Sequence, residues 1–201
     1  MRQTVRQPLP GTVVDPLYPD EDGRPMGDTD YHSIALISLR EGLQDFFGDR
    51  DDVYVGMNLI FYYEEGNPKA RRDPDILVAK GVVGKHRRRS FRLWEEKVLP
   101  CTLVEVVSKK TVRVDVSEKH ALYEQLRIPE YFLFDPEGRY MDRPSRGFRL
   151  RQGKYFELEL ATLGAAEAQA LAAEVAGRLL ANPVIESYRI EIDSSDRGAL
   201  S

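Results

Sequence analysis

The chain has 201 residues, 31% of them charged, a formal net charge of −4 and one cysteine, Cys101. A single cysteine excludes an internal disulfide and any multi-cysteine zinc cage, and the acidic balance excludes a molecule that attracts polyanions over its whole surface. No apolar run approaches the ~20 residues that span a bilayer, and the N-terminus lacks the basic-then-apolar order of a secretory signal, so a soluble cytoplasmic protein is expected.

Residues 1–27 carry Pro8, Pro10, Pro16, Pro19 and Pro25 among few periodic apolar positions and read as an extended N-terminal arm. Residues 28–193 suit a single domain, with a frayed tail at 194–201. A first helix starts behind an Asp28 or Thr29 cap and runs to about Phe47, with Leu36, Leu39, Leu43 and Phe46 spaced three, four and three residues apart before Gly48 ends it. Val53, Val55, Met57, Leu59 and Phe61 then alternate with Tyr54, Asn58 and Tyr62, the period of a strand with one buried face. Residues 64–73 form a polar turn.

Ile76 to Ala79 and Thr102 to Val107 are too short and too β-branched for helices, so both read as buried strands. A basic connection separates them, with Trp94 anchoring residues 91–98. Cys101, at the start of the second run, is expected to be an inert small hydrophobe. Residues 114–127 read as a helix with Leu122 and Leu126 inward, stopped by Pro129, and Tyr131 to Phe134 as a fourth strand closed by Asp135-Pro136-Glu137-Gly138. Residues 148–160, broken at Gln152-Gly153, form a hairpin, and 163–180 a final amphipathic helix. The strand-helix-strand step across 102–134 favours a parallel pair with a right-handed crossover, and the earlier strands an antiparallel meander. The expected fold is α/β, of α+β type: a central mixed sheet flanked by helices.

An acid inside a buried strand is costly unless a cation or donor compensates it, and such groups cluster at functional sites. Asp75, heading one run, and Glu105, inside the next, stand 30 residues apart and suggest a metal site. Phosphodiester hydrolysis needs the phosphate charge offset and a water made nucleophilic, which oxygen-liganded Mg²⁺ or Mn²⁺ supplies. Asp75 and Glu105 are candidate ligands, with the Val106 carbonyl completing the protein side. The usual companion lysine would lie two residues after the glutamate, but Val107 is there. Lys119 is the best substitute, because Asp115, Lys119 and Tyr123 recur every four residues and share one helical stripe. The plainer alternative is an exposed Asp115–Lys119 ion pair worth a few tenths of a kcal/mol. Two basic runs, Lys69, Arg71 and Arg72, then Lys85, His86, Arg87, Arg88, Arg89 and Arg92, could neutralise phosphates or be solvated loop charge. Gly81-Val82-Val83-Gly84-Lys85 lacks the glycine spacing and the Ser or Thr of a phosphate loop.

The strings RRDPDILVAKG, TLVEVVSKKT and RVDVSEKHALYEQLRIPEYFLFDPEGR resemble the Uma-two family, grouped with restriction endonucleases in the PD-(D/E)XK nuclease superfamily, over roughly Asp28 to Arg139. The resemblance implies a restriction-endonuclease-like core and a metal-dependent DNA endonuclease in which Asp75 and Glu105 bind Mg²⁺ or Mn²⁺ and Lys119 takes the lysine's part. Ser108, Asp115 and Tyr123 match recurrent positions as supporting residues. A first-helix acid would fall to His32 or Glu41. Arg71, Arg72, Lys85, Arg87 and Arg88 are expected to contact DNA phosphates, and cutting two strands favours a homodimer, with the hairpin or the Ala-rich helix as interface. The alternative is a nucleic-acid-binding or assembly module that keeps the fold with little catalysis, as the missing strand lysine and the acidic net charge suggest.

Overall fold

The computed structural model describes residues 17–19 and 29–158; the rest of the N-terminal arm, the predicted helix at 163–180 and the tail at 194–201 lie outside the described residues. In chain order its helices are α1 (Asp30–Phe46), α2 (Leu93–Glu96) and α3 (His120–Gln125), the last entered through a π-helical turn, Val114–Lys119. Its strands are β1 (Val53–Met57), β2 (Phe61–Tyr62), β3 (Arg71–Arg72), β4 (Ile76–Lys80), β5 (Phe91–Arg92), β6 (Thr102–Val106), β7 (Glu130–Phe134), β8 (Ser145–Arg151) and β9 (Lys154–Leu158). None of the described helices is long and apolar enough to cross a membrane.

Thr29 is the cap of α1, its side chain accepting from the His32 N–H. Ala35, Leu36, Leu39 and Leu43 recur every three to four residues, so one stripe of the helix is buried. Leu39 and Leu43 are fully buried, and truncating either to Ala would cost about 2–5 kcal/mol.

Six strands form the main sheet in the order β1-β4-β6-β7-β8-β9. The expected mixture is there: β6 and β7 are parallel, joined through the π-helical turn and α3, while β1–β4, β4–β6, β7–β8 and β8–β9 are antiparallel. Side chains alternate between two cores. Ile76, Val78, Val104, Val106, Phe132 and Phe134 pack with α1. Leu77, Ala79, Leu103, Leu133 and Tyr131 pack on the other face with Tyr123 of α3. Both faces of the central strands are covered, which is why β4, β6 and β7 read as continuous apolar runs.

Two expectations need correction. The run from Val53 to Phe61 is not one strand: β1 ends at Met57, and Asn58 takes φ of 49°, a left-handed conformation that Asn tolerates, while its N–H donates to the Asp75 carbonyl. Phe61 and Tyr62 belong instead to a second, three-stranded sheet of order β3-β2-β5, so residues 64–73 hold a short strand as well as a turn. In the third helical segment Leu122 and Leu126 face inward as expected, partly buried against the second core, and Tyr123 is fully buried. Trp94 does anchor its segment, packing its ring 5.0 Å from Tyr18, which in turn lies 5.1 Å from Tyr62.

Candidate active site

The β4–β6 ladder pairs Leu77 with Leu103 and Ile76 with Val104, so one step further along Asp75 meets Glu105. Period-two alternation puts both acids on the face of Leu77 and Leu103, the face that α3 covers. The ladder gives way to side-chain bonding at this point. The Val106 N–H donates to Asp75 Oδ2 at 2.6 Å, and the Asp75 N–H approaches Glu105 Oε2 at 3.5 Å. Two carboxylates distant in sequence are thereby clamped side by side at one end of the sheet.

The helical stripe meets them from above. Lys119 Nζ donates to Glu105 Oε2 at 2.7 Å and stands 3.1 Å from Asp115 Oδ1, while the Tyr123 hydroxyl donates to Glu105 Oε1 at 3.1 Å. Asp115 and Glu105 side chains are each 1% exposed and that of Lys119 12%, so this is no solvated surface pair. The Lys119–Asp115 contact satisfies ion-pair distance but not hydrogen-bond geometry; both Asp115 carboxylate oxygens lack a hydrogen-bond donor among the described residues.

Tyr131 carries no role in the sequence reading, yet its fully buried hydroxyl donates to the Asp115 main-chain carbonyl at 2.9 Å. That bond ties the π-helical turn to β7 beside the Tyr123 ring, 5.1 Å away. π-helical turns are rare and often sit at functional sites. The only sequence signal for Tyr131 is its place in the Pro-Glu-Tyr lead-in to β7.

Burial dominates the electrostatics. It pushes the Glu105 carboxyl up to about 8, with Lys119 opposing and the charges of Asp75 and Asp115 adding to the rise. Asp75 is likewise pushed up to about 6 by burial, against the pull of Lys119 and His32. Burial works against a charged Lys119, but Glu105, Asp115 and Asp75 together outweigh it and hold the ammonium protonated above its ordinary range. The Tyr123 phenol is raised well above its usual value, chiefly by burial, and stays a donor.

Among the described residues no group of three or more His, Cys, Asp and Glu side chains is spaced to cage a metal by itself. Two buried carboxylates, Glu105 and Asp115, nevertheless share one ammonium, the half-buried Asp75 adds to their charge, and two Asp115 oxygens lack donors, a shortage of positive charge that a divalent cation would relieve. The carboxylates offer oxygens only, and among the described residues the imidazole of His32, whose charge acts on Asp75, is the one nitrogen ligand type nearby. A hard cation such as Mg²⁺, which keeps several waters and takes only one or two carboxylates, suits such a set better than Zn²⁺ does.

The other sequence candidates divide. His32 is buried near the start of α1, and its charge acts on Asp75, so it belongs to the site. Glu41 is exposed, more than two turns further along α1, and is not brought in. Ser108 lies in the turn after β6, its hydroxyl 3.2 Å from that of Thr111, and serves that turn. Arg72 acts electrostatically on Tyr123, whereas Arg71 donates to the Tyr62 hydroxyl at 3.2 Å. The second basic run is elsewhere. Lys85 donates to the carbonyls of Phe47 and Gly48 at the far end of α1, and Arg88 is taken up by Glu96, at 2.6 and 3.0 Å, and by the Tyr54 ring. Arg87 is exposed on the same loop. Gathering these residues to the carboxylates fails because β4 carries the chain away from Asp75 before the run begins. Cys101, 2% exposed and with its thiol pushed up to about 12 by burial, is inert as expected.

The paired central strands of the mixed sheet thus bring an Asp and a Glu together against a helical Lys. The family model Uma2, described as "Putative restriction endonuclease", matches residues 22–177, and the chain belongs to this family. Among solved structures it is similar to one described as a "putative nuclease belonging to DUF820" from Anabaena variabilis ATCC 29413, with a TM-score of 0.50 and 13% identity over 74% of this chain and 85% of that one. At that identity the likeness is one of fold. No curated protein matches the sequence.

Proposed function

We propose that the chain is a divalent-metal-dependent DNA endonuclease. Family membership supports a nuclease. The observation that carries the finer reading is the convergence of Asp75, Glu105 and Lys119, with the ammonium 2.7 Å from Glu105 Oε2. Asp75, Glu105 and the Val106 carbonyl would hold Mg²⁺ or Mn²⁺, which when bound offsets phosphate charge and acidifies water. The chain's own residues do the rest. The Val106 N–H and the Tyr123 hydroxyl orient the two carboxylates. Lys119, kept charged by its acidic neighbours, holds a water or the developing negative charge on phosphate in place, an electrostatic effect that is strongest where water is excluded. His32 and Asp115 set the local charge, and Arg71 and Arg72, four and three residues before Asp75, contact phosphates.

A second reading rests on the same contact. Lys119 already saturates one Glu105 oxygen, as it would in a module that retains the fold, binds nucleic acid and cuts little. Plasmid nicking separates the two. The endonuclease reading expects cleavage in Mg²⁺ or Mn²⁺ and at least a hundredfold loss in Lys119→Ala, about 2.7 kcal/mol of barrier. Cleavage that survives this change, or its absence from the wild type, rejects catalysis here. The ligand assignment expects Mn²⁺ to raise the melting temperature of the wild type and not of Asp75→Ala; equal shifts reject Asp75 as a ligand. A homodimer would present two such sites to two strands, and sedimentation at micromolar concentration distinguishes it from a monomer.

A further inference from the structure

The described residues hold two exposed groups of basic side chains at opposite ends of the main sheet. Lys85, Arg87 and Arg89 lie on the loop that follows β4. Lys109, Lys110 and Arg113 lie on the turn that follows β6. Because β4 and β6 are antiparallel, the two connections leave the sheet at opposite ends.

Two rulers place the first group far from the carboxylates. β4 covers the five residues from Ile76 to Lys80, so the loop starts roughly 16 Å beyond Asp75 at about 3.3 Å per residue. The Gly81 and Val82 N–H groups tie its start to the Asp52 carbonyl, and Lys85 ties it to the C-terminal end of α1. The 17 residues of α1 span about 25 Å, and His32, which acts on Asp75, is at the opposite end.

Chain length places the second group close. Lys109 is three residues past Val106, whose N–H holds Asp75, so its backbone is within about 11 Å of that residue. Arg113 is two residues before Asp115, within about 7 Å of it along the chain. Exposed acids at this end, Asp30, Asp73, Glu118 and Asp142, are outnumbered by the exposed bases Lys109, Lys110, Arg113, Arg139 and Arg143 together with the partly buried Arg71 and Arg72.

We infer that the 109–113 turn, and not the 85–89 loop, is the surface that receives the phosphate backbone of duplex DNA. This rests on the nuclease reading above and names the face on which its substrate lies. Any duplex phosphate brought to the Asp75–Glu105 pair has neighbouring phosphates along its strand at about 3.4 Å of helix axis per nucleotide, within reach of side chains on this turn and out of reach of those beyond β4.

The test is fluorescence anisotropy of a 25-base-pair duplex in EDTA, which holds cleavage off, between 50 and 200 mM NaCl. Joint Lys109→Ala, Lys110→Ala and Arg113→Ala should weaken binding at least tenfold and flatten the slope of log K against log salt by about two to three, one phosphate contact per charge. Joint Lys85→Ala, Arg87→Ala and Arg89→Ala should leave the slope within one unit of wild type. The charge-retaining set Lys109→Arg, Lys110→Arg and Arg113→Lys should bind as wild type, which separates charge from any loss of fold. Loss confined to the 85–89 set, or equal loss in both sets, overturns the inference. Absence of duplex binding by the wild type overturns it together with the DNA part of the function, whereas intact binding without metal-dependent cleavage overturns only the catalytic reading.

Discussion

Glu105 and Glu130 are both sealed inside neighbouring parallel strands, at 1% and 0% exposure, but their surroundings differ. Glu130 stands opposite Arg149 in the β7–β8 register and takes two hydrogen bonds from its guanidinium, at 2.8 and 2.6 Å. Both N–H groups converge on Glu130 Oε1, so one acid meets one base and the charge is balanced within the fold. Glu105 shares a single ammonium with Asp115 and lies against Asp75, so burial and repulsion raise its pKa instead. Burial of an acid in a strand is therefore not in itself a sign of chemistry. The sign is an acid left short of positive charge by a fold that had the means to supply it, as the arginine on β8 demonstrates. Asp135 makes the same point, since the N–H groups of Glu137, Tyr140 and Met141 satisfy it fully.

The contrast can be broken most forcefully at the structural pair. Arg149→Ala leaves Glu130 buried without its guanidinium and should cost about 3–5 kcal/mol by urea denaturation, whereas Lys119→Ala leaves Glu105 able to take up the proton that its raised pKa already favours, and should abolish cleavage with a smaller loss of stability. If the two variants lose the same stability, the distinction between a settled and an unsettled acid is wrong.

Titration sharpens it next. The folded state keeps a proton on Glu105 up to about 8, whereas an unfolded chain releases it near 4.5, so folding takes up a proton in this window. Stability of the metal-free wild type is then highest at the acid end of that window and falls as pH rises from about 4.5 to about 8, by at most about 1.4 kcal/mol per pH unit for this group. Thermal melts of wild type and Glu105→Gln across that range should diverge, the wild type losing ground with rising pH. Parallel curves would mean that Glu105 is not strained by its neighbours. Mn²⁺ should offset the decline, because it binds the deprotonated carboxylates.

The smallest effect is expected at Tyr131. Tyr131→Phe keeps the ring beside Tyr123 and removes only the hydroxyl that holds the Asp115 carbonyl, at a cost of about 1 kcal/mol. If that bond positions the π-helical turn, kcat should fall severalfold with KM little changed. A purely structural role would lower the melting temperature and leave kcat alone.

Much of this was legible in the chain itself. The β-branched runs around residues 76–79 and 102–107, the four-residue stripe of Asp115, Lys119 and Tyr123, and the turn at Gln152-Gly153 follow from local periodicity, which depends on which faces are buried rather than on what buries them. The pairing of Asp75 with Glu105 needed the register of two strands 30 residues apart, and the acids Glu130 and Asp135 could not be told from Glu105 until their partners were known. Asn58 ended a strand whose alternation continued on paper, because a left-handed residue changes the direction of the chain without disturbing its pattern. The basic loop at 85–89 looked close to Asp75 along the chain, and β4 carried it to the other end of the sheet. Residue types and their spacing determined which side chains could do the chemistry; only tertiary structure decided which of them meet, since charge balance and distance are properties of neighbours in space.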